Sequence, residues 1–377
     1  MIKKKKISQI ELTLFMTEGM SIKKWYSYGM LNREISLYKE MIKEIKSVKI
    51  FSYGTVSENS FINSNKIEIL HWFYNRAFKI YRLFGLYIHY RKLSNSDIFK
   101  TNQISGSAIA VKAKKLFKKP LIVRCGYIAS VFSLKRGDSK AELNRIILLE
   151  DHAFNNADKI IVTCQRDKNI VIKKYFINPD KIHIVPNHVD TNLFKPKKEI
   201  KKIAGRLCFV GRLDEQKNLV NLLKAVEKVE SINELIIIGE GPLKKELQKI
   251  SKDMKTKVNF LGIIKNKYLP EVIQTSEVFI LPSLYEGMPK TILEAMSCGM
   301  PCIGANSEGI KEIINHRKNA LLCEIDYESI AETLTEIYKN EELRNVLSEN
   351  ARNEILNNFS LKNSLNLELN IYKSLFS

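Results

Sequence analysis

The sequence lacks the features that would assign it to a membrane-spanning, disulfide-rich or metal-binding class. No stretch of about 20 residues is free of charged side chains, so we expect no membrane-spanning helix. The six cysteines include no C-x-x-C pair, and we interpret them as buried free thiols. The six histidines form no cluster with the spacing of metal ligands, so we predict no metal site. No internal repeat or long low-complexity tract is found.

The amino-terminal residues also lack the apolar core of a signal peptide. Residues 3–6 are all lysine, but Glu11 and Glu18 interrupt the apolar run that follows them. We therefore expect a cytoplasmic protein, or one bound peripherally to the inner face of the cell membrane.

The length of 377 residues exceeds what one hydrophobic core usually supports, which favours two domains. Apolar runs rich in β-branched residues alternate with helical stretches such as 31–46 and 141–155, and this alternation predicts a parallel sheet covered on both faces. In the first half, the predicted strands are 7–16, 48–53, 67–72, 121–124, 160–163 and 182–185. A polar, lysine-rich linker at 195–205 divides the predicted domains 1–198 and 199–358, and a final helix is predicted over 359–377.

Positive charge is concentrated in the first half of the chain. Residues 1–200 hold 37 Lys and Arg against 17 Asp and Glu, whereas residues 201–377 hold 24 of each. A general lysine bias would spread over both halves, so the asymmetry indicates that the first half has to bind an anionic surface or partner. Screening beyond about 8 Å at physiological salt confines this effect to close contact.

The segment 71–92 is the best candidate for contact with an anionic membrane surface. It interleaves aromatic side chains with cations, each of which contributes roughly 1 kcal/mol in a headgroup layer. These cations are Arg76, Lys79, Arg82, Arg91 and Lys92. The alternative is a strand end followed by a buried helix whose basic residues are simply solvated.

A well-delimited helix start lies in residues 282–301. The apolar run 278–281 is typical of a buried strand, and Pro289 suits the first helical turn. Gly299 is the expected left-handed stop, and Pro301 prevents continuation. The pattern therefore predicts a helix over 289–298.

Two carboxylates flank this helix start: Glu286 in the loop before it and Glu294 inside it. The backbone N–H groups between them favour an anion or several hydroxyl groups. These donors lie near Gly287, Met288 and Lys290. The alternative is a surface loop with two solvated glutamates.

Two further strand–loop–helix units lie upstream, at 207–226 and 235–247. The first places Gly211, Arg212 and Lys217 in one loop, and the second has Gly239 and Gly241 in its turn. The cations are either ordinary surface charges or part of a crevice beside Glu286.

Taken in order, these motifs resemble the C-terminal domain of a GT-B, GT4-type retaining glycosyltransferase over residues 203–358. They read G-R-L-x-x-x-K, G-E-G-P and E-G-x-P-x-x-x-x-E, accompanied by VPNHVD at 185–190 and FLG at 260–262. Residues 17–40 are similar to the opening of some cell-surface polysaccharide glycosyltransferases. The first half departs from many relatives by having only Gly19 in place of a glycine pair, and RCGY at 124–127 in place of a histidine.

The resemblance implies an α/β protein of the GT-B fold. Its two Rossmann-like domains would face each other across a cleft, the first binding the acceptor and the second the nucleotide sugar. The C-terminal helix would return to the N-terminal domain; the alternative is a terminal helix on its own domain.

The resemblance also implies a role for each candidate residue. Arg212 and Lys217 would hold the diphosphate and stabilise its departure, Glu294 would bind the ribose hydroxyls, and Glu286 would orient the transferred sugar. The turn following Gly262, near Ile264, would touch the base, and Gly19 would let the first-domain loop approach the phosphates. The amides after Gly287 would help Glu286 to orient the sugar. The full predicted donor-binding set is Gly19, Gly211, Arg212, Lys217, Gly241, Gly262, Ile264, Glu286, Gly287, Met288, Lys290 and Glu294.

The implied reaction retains the anomeric configuration through same-face attack, in which the departing phosphate helps remove the acceptor proton. Glu286 as a covalent nucleophile is the rival interpretation. The chain has no Asp-x-Asp, so we predict a metal-independent enzyme without a cofactor. The donor would be a UDP- or GDP-sugar, and the acceptor a saccharide in bacterial surface-polysaccharide assembly. The basic charge of the first half favours an acceptor that is lipid-linked.

Two other classes remain as alternatives. A GT-B-fold nucleotide-sugar epimerase would need the donor alone as substrate. A non-enzymatic, basic nucleic-acid-binding protein would use the same positive half, but no RNA- or DNA-binding module is recognised, so we predict no nucleic-acid partner.

Overall fold

The computed structural model describes residues 5–72 and 78–376. These residues form two compact units. The first comprises the described residues up to Pro186 together with those from Ser364 onwards, and the second is Asn187–Asn363.

The first unit is built on a parallel sheet, which has seven strands in the described part of the chain. The strands are β1 Glu11–Phe15, β2 Ser47–Thr55, β3 Ile67–Trp72, β4 Ile98–Thr101, β5 Leu121–Cys125, β6 Lys159–Val162 and β7 Ile182–Ile184. Their order is β3-β2-β1-β4-β5-β6-β7, with every neighbouring pair parallel. The predicted parallel α/β architecture is therefore confirmed, although β4 was missed in the sequence.

Helices cover this sheet on both faces. They are α1 Ile22–Ser27, α2 Leu31–Met41, α3 Phe78–Ile88, α4 Tyr90–Ser94, α5 Ser107–Phe117, α6 Ala129–Arg136, α7 Lys140–Asn156 and α8 Gln165–Tyr175. The core on one face is aromatic, with the Phe15 ring 5.3 Å from that of Phe51 and 5.4 Å from that of Phe99. The helix predicted over 31–46 ends at Met41, because the chain turns there to bury Ile45 and enter β2.

The second unit contains a six-stranded parallel sheet. Its strands are β8 Arg206–Val210, β9 Glu234–Ile238, β10 Lys257–Gly262, β11 Val278–Leu281, β12 Cys302–Ala305 and β13 Leu321–Cys323, in the order β10-β9-β8-β11-β12-β13. Its helices are α9 Leu219–Glu227, α10 Lys244–Ile250, α11 Leu269–Ile273, α12 Lys290–Ser297, α13 Tyr327–Lys339 and α14 Glu341–Asn358. The apolar strands β9 and β11 are buried throughout, as expected of parallel strands covered on both faces.

The second unit begins at Asn187 because hydrogen bonds tie the following segment to it. The Asn187 side chain donates to the Met288 carbonyl at 2.6 Å, and the Val189 N–H donates to the Phe359 carbonyl at 2.9 Å. Residues 187–198, which the sequence placed in the first domain, therefore belong to the second unit.

The last helix, α15 Leu361–Lys373, belongs to the first unit from Ser364 onwards. Its Glu368 carboxylate accepts a hydrogen bond from Lys100 Nζ of β4 at 2.5 Å and another from the Tyr372 hydroxyl at 2.9 Å. Arg124 Nη1 of β5 lies 3.7 Å from the other carboxylate oxygen. Lys100, Glu368 and Tyr372 are fully buried, so α15 is fixed to the sheet through an internal ion pair.

The basic segment 71–92 is described only in part. Arg76 lies outside the described residues, as do the side chains of Lys79 and Arg82. Helix α3 turns an apolar stripe outward, with Phe84, Tyr87 and Ile88 exposed by 54%, 64% and 38%. Within the described ranges, no helix has both the length and the apolar character needed to cross a membrane.

Candidate functional site

The predicted donor site of the second unit lies where its sheet changes direction. Strand β8 has β9 on one side and β11 on the other, and the chain runs from β8 outward through β9 and β10 before returning to β11. The loops after β8 and β11 therefore leave the sheet as neighbours at its carboxyl edge. Such a topological switch point is where open parallel sheets bind ligands.

The loop after β8 carries the two predicted diphosphate-binding cations. Arg212 is largely in solvent, with 72% of its side chain exposed and its Nε 3.6 Å from an Asp214 carboxylate oxygen. Lys217 ends a short 3-10 turn that begins at Glu215, and 14% of its side chain is exposed. Its ammonium group donates to Glu286 Oε1 of the neighbouring loop.

The loop after β11 is fixed from two sides. On one side, the Leu284 N–H donates to the Gln216 carbonyl at 2.9 Å. On the other, the Glu286 N–H donates to the Glu308 carbonyl at 3.0 Å. A Cβ at Gly309 would collide with the carbonyl groups of Glu286 and Gly287, so glycine is required for this close approach.

Glu286 is held in place by contacts within the second unit. Its residue is 7% exposed, Lys217 contacts Oε1, and Gln216 Nε2 lies 3.3 Å from Oε2. The same Gln216 amide donates to the Tyr285 carbonyl at 2.8 Å. The structure thus joins two of the predicted catalytic residues, Lys217 and Glu286, in one contact.

Helix α12 starts one residue later than predicted and ends one residue earlier. Pro289 is its N-cap, with extended backbone, rather than its first helical residue. Gly299 adopts the expected left-handed conformation, with φ of 66°. The segment from Gly287 to Lys290 therefore stands at the helix N-terminus, where backbone N–H groups have no partner within the helix.

Glu294 is inside α12 and only 2% exposed, so it is not the solvated surface glutamate of the alternative interpretation. Its Oε1 accepts a hydrogen bond from Asn266 Nδ2 at 2.9 Å. Asn266 belongs to the loop after β10, which follows Gly262 and contains the half-buried Ile264. Glu294 is thus connected to the loop that the resemblance assigns to the base.

The glycines after β9 serve backbone packing. A Cβ at Gly239 would collide with the Gly211 carbonyl, and one at Gly241 would collide with the backbone of Leu213. The Leu213 N–H donates to the Glu240 carbonyl at 3.0 Å, so the loops after β8 and β9 form one rigid layer. The donor-binding role of Gly241 stays a prediction.

The remaining predicted residues are placed as follows. Met288 is 6% exposed and accepts hydrogen bonds from Asn187, at its sulfur and at its carbonyl. Lys290 is the first residue of α12. Gly19 lies in the first unit, after β1, with φ of 75°, and its carbonyl accepts a hydrogen bond from Lys24.

Gln216 and Asn266 were not predicted from the sequence, although both donate hydrogen bonds to predicted site carboxylates. A glutamine beside a lysine, like Gln216, and an asparagine in a polar loop, like Asn266, are common on protein surfaces and do not indicate a site. Their place in the sequence could have indicated them, because both residues follow strands whose carboxyl ends lie at the same edge of the sheet.

Chemically, this edge offers a cation and a carboxylate in contact, a more exposed guanidinium, and a helix N-terminus. That set suits a ligand with both an anionic portion and several hydroxyl groups. In the described ranges, no three His, Cys, Asp or Glu side chains are grouped so that they could hold a metal ion. Independence from metal stays a prediction.

Comparison with known families gives two matches that together span most of the chain. The model of the family described as Glycosyl transferases group 1 matches residues 190–354. The model described as Glycosyltransferase Family 4 matches residues 47–193. The first of these ranges contains every predicted donor-site residue except Gly19.

Individual relatives of this chain are also glycosyltransferases. The chain is 30% identical over 269 residues to the Escherichia coli UDP-Gal:alpha-D-GlcNAc-diphosphoundecaprenol alpha-1,3-galactosyltransferase, covering 67% of this chain and 69% of that protein. It is also 30% identical over 199 residues to the Campylobacter jejuni N-acetylgalactosamine-N,N'-diacetylbacillosaminyl-diphospho-undecaprenol 4-alpha-N-acetylgalactosaminyltransferase, covering 51% of this chain and about half (53%) of that protein.

Among solved structures, Anabaena Alr3699/HepE in complex with UDP and glucose aligns with a TM-score of 0.77 at 17% identity. The alignment covers 97% of this chain and 100% of the other. At that identity the likeness shows the fold, which is the GT-B arrangement of two Rossmann-like domains.

Proposed function

This chain belongs to the group 1, GT4-type glycosyltransferases, and from that premise we propose that it moves a sugar from a nucleotide-sugar donor to a lipid-linked saccharide acceptor, with retention of configuration, during assembly of a bacterial surface polysaccharide. Two relatives support the choice of acceptor class, since both are named for diphospho-undecaprenol substrates. The donor is a UDP- or GDP-sugar.

The observation that carries the proposal is the contact of Lys217 with Glu286 at the switch point of the second sheet. It sets a cation for the diphosphate beside a carboxylate for sugar hydroxyls, next to the N-terminus of α12. Glu294, which is 2% exposed inside the same helix, would bind the ribose in this proposal.

In this mechanism, the bond between the anomeric carbon and the diphosphate oxygen breaks as the acceptor hydroxyl approaches from the same face. The new bond joins the anomeric carbon to the acceptor oxygen, and the acceptor proton passes to the departing phosphate oxygen. Arg212 and Lys217 stabilise the negative charge that develops on the leaving group, so they act mainly in the transition state. No metal or cofactor is assigned to the reaction.

Glu286 acts as an orienting group in this proposal. Both of its oxygens face donors, Lys217 on one and Gln216 on the other, and this arrangement holds the carboxylate for hydrogen bonding. The rival is covalent catalysis by Glu286. Mass spectrometry of enzyme stopped during turnover tests the choice, because a glycosylated Glu286 peptide would establish the nucleophile.

The proposed function is tested by a binding and hydrolysis screen of UDP-, GDP- and ADP-sugars. The native chain should prefer the sugars of one nucleotide. Arg212→Ala and Glu294→Ala should selectively weaken the binding and slow the hydrolysis of that donor. Lys228→Ala is a matched control, because Lys228 lies at the far end of α9 over the Tyr327 ring. If both site variants match the native chain for every donor, the site assignment fails; product formed from the donor alone would indicate an epimerase.

We also propose that the first unit meets an anionic membrane surface, where the acceptor lipid would reside. The outward stripe Phe84, Tyr87 and Ile88 of α3 is followed by the exposed cation Arg91 and by Lys92, which is paired with Glu68 at the surface. Apolar side chains next to cations are the combination that interfacial helices use. Sedimentation with vesicles containing phosphatidylglycerol at low salt should retain the protein, and high salt should release it; equal binding to neutral vesicles contradicts the proposal.

A further inference from the structure

Two side-chain amides of the second unit approach the two site carboxylates from neighbouring loops. Gln216 Nε2 donates to the Tyr285 carbonyl at 2.8 Å and lies 3.3 Å from Glu286 Oε2. Its own backbone carbonyl accepts from the Leu284 N–H at 2.9 Å. One residue of the loop after β8 therefore contacts three successive residues of the loop after β11.

Asn266 repeats this arrangement at the other carboxylate. Its Nδ2 donates to Glu294 Oε1 at 2.9 Å, and the residues are 6% and 2% exposed. Asn266 begins the short 3-10 turn that precedes α11, whereas Glu294 is in α12. The amide thus joins the loop after β10 to the helix that carries the carboxylate.

We infer that Gln216 and Asn266 are positioning residues, Gln216 for the sugar-facing carboxylate Glu286 and Asn266 for the ribose-facing carboxylate Glu294. The inference rests on the proposed function, since it assumes that Glu286 binds the sugar and that Glu294 binds the ribose. It adds that the two amides support binding of different parts of the donor. Gln216 supports binding of the sugar only, and Asn266 supports binding of the nucleoside.

An amide suits this task physically. It donates a hydrogen bond without adding charge, so the carboxylate remains an acceptor for hydroxyl groups. A carboxylate has about four acceptor directions, and one amide leaves the others for ligand. Lys217 alone would be a poor support for Glu286, because a bound diphosphate attracts the same ammonium group; Gln216 holds the carboxylate whichever anion Lys217 faces.

The test compares ligands with and without the sugar. Calorimetric titration with UDP and UDP-galactose, and in parallel with GDP and GDP-mannose, separates the two halves of the donor. We expect Gln216→Leu to bind the preferred nucleotide sugar about tenfold more weakly while binding the bare diphosphate like the native chain. We expect Asn266→Leu to weaken both ligands by about the same factor.

An isosteric variant distinguishes positioning from packing. Gln216→Glu preserves size but replaces the donor with a second carboxylate beside Glu286, so it should bind the nucleotide sugar more weakly than Gln216→Leu does. A packing role predicts the reverse order. Asn221→Leu is the matched control, because it removes another hydrogen bond donated by a side-chain amide of this unit, to the Ile325 carbonyl at 3.1 Å, in which neither carboxylate takes part.

Glu286→Gln and Glu294→Gln provide the reference. If neither changes donor binding, the proposed site itself is refuted. If they weaken binding while Gln216→Leu and Asn266→Leu bind both ligands like the native chain, the positioning inference is overturned and the proposed function stands. Equal weakening of both ligands by Gln216→Leu would also overturn it, because that pattern reports a general disturbance of the loops.

Discussion

The two units use the same sheet architecture but place their charged residues differently. In the second unit, Arg212, Lys217 and Glu286 lie in loops beyond the strands, with 72%, 14% and 9% of their side chains exposed, whereas Glu294 is buried inside α12. In the first unit, Lys100 is within β4 and Arg124 within β5, and both face Glu368 of α15 in the interior.

This difference separates ligand-binding charge from structural charge. A cation in a loop at the carboxyl edge can exchange its partner for a ligand, whereas a fully buried one must keep the partner that compensates its desolvation. Exposed side chains on the helices of the first half, such as Arg91 and Lys115, present its positive charge to solvent, whereas Lys100 does not.

The largest expected effect comes from breaking the buried pair of the first unit. Glu368→Gln leaves the Lys100 ammonium in the interior without its counter-charge, which should reduce the free energy of unfolding of this unit by about 3–5 kcal/mol. Urea titration followed by tyrosine and tryptophan fluorescence measures the change.

Lys100→Met in the Glu368→Gln background is the control for that variant. It removes the uncompensated ammonium group and leaves the glutamine oxygen to accept a hydrogen bond from the Tyr372 hydroxyl, so part of the lost stability should return. Arg124 still lacks the charge of Glu368, so the recovery should be incomplete. A single Glu368→Gln variant as stable as the native chain would contradict the assignment of this pair as structural.

The next effect concerns the second unit and should appear in rate rather than stability. Lys217→Ala should lower kcat by about 10²- to 10³-fold, because it removes a cation that stabilises the negative charge developing on the leaving diphosphate. Its thermal unfolding should change far less than that of Glu368→Gln. Steady-state kinetics with the donor found in the screen tests this, with Lys228→Ala as the control; a normal kcat for Lys217→Ala would refute the catalytic role.

The sequence predicted most strands and the loop charges of the second unit, because apolar runs and loop motifs are local signals. It missed β4, where Lys100 interrupts the apolar run that would mark a strand. The partner that makes a buried lysine tolerable, Glu368, is 268 residues away in the chain. Gln216 and Asn266 were missed for the same reason, since their roles depend on which loops the fold brings together.

A smaller effect is expected in the acid stability of the first unit. Burial alone would raise the pKa of Glu368, but the nearby Lys100 and Arg124 hold it below its ordinary value. Because the folded pKa lies below the unfolded one of about 4.3, Glu368 stabilises the fold above that pH. The contribution is lost as the pH falls through the folded value.

Acid unfolding followed by circular dichroism checks this sign. The native chain should lose stability below about pH 4, and the Glu368→Gln variant should lack this component of the pH dependence. An identical pH dependence in both proteins would mean that other carboxylates control acid unfolding.

The smallest expected effect tests whether exposed cations of the two units differ in function. Arg91→Gln in the first unit should weaken binding to phosphatidylglycerol vesicles by roughly 1 kcal/mol, about fivefold in partition, because one cation near the headgroups is removed. Lys245→Gln removes an exposed cation of the second unit and should leave partition unchanged. Since both variants change the net charge equally, equal losses would indicate attraction by the whole protein, and the first unit would then have no distinct membrane-facing surface.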